Sequence, residues 1–137
     1  MLMQQKDNAQ KNTQQKRILC IEDEHFISEL YVRALEKAGY HVKVIVDGEQ
    51  GLKEAQTDAY DLILLDIMVP NLTGNEILRR LRDQHETPKL HSKIIITTNL
   101  VQDDATREVI ESQADGYIIK AEITPHQLVD FIEQLKF

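Results

Sequence analysis

The chain has 137 residues, a length that fits one domain around a single packed core. Its 42% hydrophobic and 28% charged residues are ordinary for a soluble globular protein. The net charge of −7, with no basic run anywhere, argues against nucleic acid as a direct partner.

In chain order, residues 1–16 are rich in Gln, Asn and Lys and poor in apolar side chains, so they are expected to form a disordered tail before a domain spanning 17–137. The tail carries three lysines and one aspartate, which leaves −9 on the domain itself. It lacks the continuous apolar core of a signal peptide, and no apolar run approaches membrane-spanning length. A cytoplasmic protein with no membrane insertion is the expectation.

"RILCI" (17–21) has the length and continuous apolarity of a buried strand. Cys20 lies inside it as the only cysteine, which predicts inert packing and excludes an internal disulfide or thiolate metal site. Residues 25–38 place Phe26, Ile27, Leu30, Ala34, Leu35 and Ala38 on one helical face, with Gly39 as the stop. "HVKVIV" (41–46) alternates like a half-buried strand. Asp47 then caps a helix through about Ala55, with Gln50 at the capping-box position. "LILLD" (62–66) is the third strand. A loop with Pro70 and Gly74 leads to a helix using Ile77, Leu78 and Leu81, and the segment 82–93 is expected to be a surface excursion. "KIIITT" (93–98) is a strand, 103–113 a helix and "GYIIK" (116–120) the last strand. Thr124, Pro125 and Gln127 open the final helix as N-cap, N1 and N3, with Leu128, Phe131, Ile132 and Leu135 on its buried face.

Strands alternating with helices define an α/β fold: a doubly wound five-stranded parallel sheet, (βα)5, in three αβα layers. Ligands of such sheets bind outside the carboxyl ends of the strands. Those ends hold Glu22-Asp23-Glu24, Asp66, Thr97-Thr98 and Lys120. Two like charges about 4 Å apart repel by roughly 4 kcal/mol at an effective dielectric near 20, so this edge calls for a cation. Hard oxygen ligands suit Mg²⁺. Acids, a cation and a hydroxyl together suit transfer of a phosphoryl group to a carboxylate, with Asp66 as the nucleophile. The five histidines are scattered and show no zinc spacing.

The segments "RILCIEDEHFISELYVRALEKAGYHV", "DLILLDIMVPNLTG", "IIITT" and "ADGYIIK" resemble, in order, the four motifs of the receiver domain of two-component response regulators. The resemblance covers about residues 16–137. It implies the flavodoxin-like strand order 2-1-3-4-5. It also implies that Asp66 accepts a phosphoryl group from the phosphohistidine of a sensor histidine kinase or a phosphotransfer protein. Asp23, Asp66 and the backbone carbonyl of Met68 would bind Mg²⁺, with Glu22 acting through a water. Lys120 would pair with Asp66 and then with a phosphoryl oxygen. Thr98, 22 positions before Lys120, would be the switch hydroxyl, and Tyr117 would turn inward after it. The surface of helix 103–113, strand 116–120 and the last helix would then exchange partners.

The sequence departs from that pattern in three places. Ala121 stands where most members have a cis-proline, Asn99 stands where a small residue is common, and the 82–93 loop is long. With no second domain after Phe137, the expectation is a stand-alone regulator, monomeric or a weak homodimer, that signals to a downstream protein target. The resemblance gives the residues two after the acceptor and two after the switch hydroxyl a part in water access; here these are Met68 and Leu100, both apolar, which implies slow self-dephosphorylation. Other readings fare worse. A flavin carrier would want a phosphate loop after the first strand, and a dinucleotide enzyme G-x-G-x-x-G. An aspartyl-phosphate phosphatase like the haloacid dehalogenases would want an Asp where Met68 stands. The serious alternative is a phosphorylation-independent protein-binding module of the same fold.

Overall fold

The computed structural model describes residues 15–99 and 102–137. The expected disorder of the tail, for all but residues 15 and 16, and the role given to Leu100 lie outside the described residues. Lys16 already touches the sheet, its carbonyl accepting the His41 N–H at 2.9 Å.

The elements alternate as the sequence pattern requires: β1 (Arg17–Ile21), α1 (His25–Lys37), β2 (His41–Ile45), α2 (Gly48–Gln56), β3 (Leu62–Asp66), α3 (Gly74–Arg82), β4 (Lys93–Thr98), α4 (Asp104–Gln113), β5 (Gly116–Ile119) and α5 (Pro125–Leu135). All strand pairs are parallel, in the order β2-β1-β3-β4-β5. No described helix is long and apolar enough to cross a membrane.

Side-chain alternation along the strands divides the core in two. Leu19, Ile21, Ile63, Leu65, Ile94 and Ile96 face α2, α3 and α4. Ile18, Cys20, Leu62, Leu64, Ile95 and Ile118 face α1 and α5. The inner strands β1, β3 and β4 are therefore apolar on both faces and read as continuous runs, whereas edge strand β2 alternates.

The helix ends follow local chemistry. Asp47, Thr73 and Asp103 each accept a backbone N–H three residues on, and Thr124 and Gln127 form a complete capping box. Gly39, at φ 102°, takes the left-handed conformation just past α1.

Two expectations need correction. The buried stripe of α1 is Ser28, Tyr31 and Leu35, with Ile27 and Ala34 partly covered, so it is rotated from the expected face. Phe26, expected in the core, is 74% exposed, and Ala38 is exposed. The cause is register: residues 27, 28, 31, 34 and 35 satisfy the 3.6-residue period, and Phe26 stands a turn-edge away. Lys120 does not end β5 but begins a 3₁₀ turn over Lys120–Glu122, and no described peptide bond, the one before Ala121 included, is cis. The 82–93 segment is mostly exposed, as expected of a surface excursion, and is fastened to the body at two points. Thr87 and Ser92 are buried, Thr87 donates to the Arg80 carbonyl at 2.9 Å, and Arg80 pairs with Glu86 at 2.6 Å.

Candidate functional site

Glu22, Asp23, Asp66, Thr98 and Lys120 all stand at carboxyl ends of strands, because parallel strands place their ends at one edge. By alternation, Glu22, Asp66 and Lys120 continue the sheet face of Cys20, Leu64 and Ile118, whereas Thr98 continues that of Ile96. Glu22 and Asp66 are each 2% exposed and Lys120 is 6% exposed. The Lys120 ammonium lies 2.5 Å from Glu22 Oε1 and donates to Asp66 Oδ2 at 3.0 Å. Glu24 Oε1 approaches it from the solvent side at 3.6 Å. The remaining carboxylate oxygens use backbone donors: Glu24 N–H to Glu22 Oε2 at 3.1 Å and Met68 N–H to Asp66 Oδ1 at 3.1 Å.

Burial of one ammonium among three acids sets the electrostatics. Burial pushes the Glu22 carboxyl up to about 7, against the pull of Lys120 and with the repulsion of Asp66. For Lys120, burial alone would lower the ammonium's pKa, but Glu22 and Asp66 outweigh it and the net direction is upward. The cation therefore stays charged, and Asp66 keeps a positive partner on one oxygen.

Glu22, exposed Asp23 and Asp66 each bring one carboxylate oxygen within 4.8 Å of the others. Glu22 Oε1 is fully buried and meets Lys120 only as an ion pair, without an aligned hydrogen bond. An all-oxygen acidic donor set with an incompletely satisfied buried oxygen fits a hard divalent cation.

The loop after β3 holds Asp66 in place. Gly74 N–H donates to the Ile67 carbonyl at 2.8 Å, and a Cβ at Gly74 would stand 2.4 Å from the Asp66 carbonyl oxygen. Gly48 N–H donates to the Pro70 carbonyl at 2.9 Å, and the Asn71 amide donates to the Asp47 carboxylate. Asn71 itself sits at φ 73°. Sequence reasoning noted Pro70 and Gly74 but missed that the start of α2 anchors this turn. The Pro-Asn dipeptide was the available signal. Met68 is 60% exposed, beside the acids.

Thr98 is fully buried. The Tyr117 ring packs against the α2–α3–α4 core, with its hydroxyl oxygen out of solvent, and the Arg107 guanidinium covers the ring at 4.6 Å from its centroid. Asn99 is exposed and donates to Glu24 Oε1 at 3.0 Å. Neither that bond nor the third contact of Lys120 was legible in the sequence, where Glu24 read only as one of three adjacent acids.

A family model described as the response regulator receiver domain matches residues 18–133, and the chain belongs to that family. Among curated proteins, it is 40% identical over 106 residues to the response regulator ArlR of Staphylococcus saprophyticus, covering 76% of this chain and 45% of that protein. It is also 40% identical over 107 residues to the alkaline phosphatase synthesis transcriptional regulatory protein PhoP of Bacillus subtilis, covering 77% and 42%. The chain thus spans less than half the length of these relatives. Among solved structures, the CheY-like response regulator receiver domain protein of Methanospirillum hungatei superposes with a TM-score of 0.73 at 28% identity, covering 89% of this chain and 94% of that one. The receiver domain of sensor histidine kinase PA1611 from Pseudomonas aeruginosa, solved with magnesium coordinated in its active site cleft, gives 0.74 at 24% identity over 88% and 97%.

Proposed function

We propose that Asp66 is the phosphoacceptor of a two-component pathway, taking its phosphoryl group from the phosphohistidine of a sensor histidine kinase or phosphotransfer protein. The observation that carries this reading is the buried Lys120 ammonium, in contact with the Asp66 and Glu22 carboxylates at the strand tips. A merely structural lysine would gain little from such burial, because desolvating the charges offsets their attraction.

The donors on Asp66, Lys120 Nζ and Met68 N–H, fix the plane of its carboxylate. One carboxylate oxygen attacks phosphorus. A P–O bond forms as the P–N bond of the phosphohistidine breaks, and the imidazole leaves with the bonding electron pair. Lys120 then turns from the carboxylate to a phosphoryl oxygen. The Thr98 hydroxyl donates to another, and Tyr117 settles behind it. The phosphoryl group selects the state in which these contacts exist, so the α4–β5–α5 surface changes its preference for a protein target.

Asp23, Asp66 and the Met68 carbonyl would hold Mg²⁺, with Glu22 supporting it through a water. When bound, the cation offsets negative charge that builds on the phosphoryl oxygens. The protein is a signalling phosphoacceptor rather than an enzyme acting on a separate substrate.

Intact-protein mass spectrometry after exposure to acetyl phosphate, with and without Mg²⁺, tests the reading. The expected result is one phosphoryl adduct that requires Mg²⁺ and is absent from Asp66→Asn. No adduct under conditions that label an ordinary receiver would leave a phosphorylation-independent binding module.

A further inference from the structure

We propose that Glu24 and Asn99 form a gate over the Asp66 pocket, in which the Glu24 carboxylate competes for the Lys120 ammonium until an incoming phosphoryl group displaces it. The inference rests on the reading of Asp66 as phosphoacceptor.

An ammonium has three N–H donors. Three carboxylates contact Lys120: Glu22 at 2.5 Å, Asp66 at 3.0 Å and Glu24 at 3.6 Å. A phosphoryl oxygen that is to pair with Lys120 competes with these carboxylates for the same ammonium. Glu22 cannot leave readily, because its side chain is 2% exposed and its second oxygen is held by the Glu24 N–H. Asp66, as the acceptor, gives up its contact only once the phosphoryl group is on it. Glu24 has the longest contact and a side chain 47% exposed, so it is the ligand that an incoming phosphoryl group can displace before transfer.

What holds Glu24 over the pocket is Asn99. Its amide donates, at 3.0 Å, to the same Glu24 oxygen that faces Lys120. That oxygen ties the β1–α1 turn to the first residue after β4 and to the first residue after β5. Asn99 also follows Thr98 directly, so releasing Glu24 frees both the ammonium and the chain beside the switch hydroxyl. Glu24 and Asn99 are positioning residues in this scheme, acting through Lys120. A side chain of this length swings on a nanosecond scale, so the gate sets a fractional occupancy rather than a slow step.

The test compares wild type, Glu24→Gln, Asn99→Ala and the double variant. One readout is the rate of adduct formation from acetyl phosphate with Mg²⁺. The other is the equilibrium affinity for fluoroberyllate with Mg²⁺, followed by amide NMR. Glu24→Gln keeps the size and removes the competing charge, whereas Asn99→Ala releases the carboxylate. The expected result is a gain of about tenfold in both readouts for Glu24→Gln, equivalent to about 1.4 kcal/mol. Asn99→Ala should shift both in the same direction, and the double variant should gain no more than Glu24→Gln alone. Additive gains would point to general charge repulsion and overturn the gate. Wild-type labelling on Asp66 with all three variants unchanged would overturn the gate and leave the phosphoacceptor standing. No adduct and no fluoroberyllate binding in any of the four proteins would overturn both.

Discussion

Tyr31 and Tyr60 lie in the two halves of the core, one on each face of the sheet. Burial, first of all, pushes each phenol up to about 12, and for Tyr60 the hydrogen bond it donates to Glu54 Oε2 at 2.6 Å adds to the effect. In the unfolded chain a tyrosine ionises near pH 10. Between about pH 10 and 12 the unfolded state therefore loses protons that the folded state keeps. Stability is fully present below pH 10 and falls as pH rises through that window. A phenolate absorbance titration should show these two tyrosines ionising only as the protein unfolds, and Tyr60→Phe should shallow the alkaline loss measured by urea midpoints. Native-state ionisation of both near pH 10 would contradict this. At this scale the sequence revealed the acids and the lysine, because a charge closing an apolar run has few uses. It did not reveal that Phe26 faces solvent or that Glu24 meets Asn99, since both depend on how helices and loops far apart in the chain are set against each other.

Among the elements, the turn after β3 shows why a glycine is needed at one position and only convenient at another. A Cβ at Gly74 meets backbone, the Asp66 carbonyl oxygen at 2.4 Å and Ile67 Cα at 2.7 Å. The atoms nearest a Cβ at Gly51 belong to the Ile21 side chain, the first at 2.8 Å, rather than to backbone. Gly74→Ala should therefore cost about 1–3 kcal/mol, and Gly51→Ala clearly less, both measured by urea unfolding. Equal costs would mean that the β3–α3 turn moves as easily as a side chain. The order of elements, the parallel sheet and most helix starts were legible, because strand runs and capping residues act locally. The Lys120 turn was not: it forms where β5 stops pairing, a boundary set by the length of β4 beside it.

Over the whole molecule, β1, β3 and β4 each contribute side chains to both core clusters. Neither half has strands of its own to fold on, so a single cooperative transition is expected. Cys20 provides a native gauge of that cooperativity. Its thiol is 1% exposed in the middle of β1, and burial, reinforced by Glu22, pushes it up to about 12. Only the thiolate reacts with disulfide reagents, so the folded protein presents almost no nucleophile at neutral pH. Labelling should accelerate with urea in parallel with global unfolding, whereas a rate indifferent to urea would reveal a local breach over β1. The cysteine beneath the strand-tip acids thus works as a clock, counting how often the whole domain lets go.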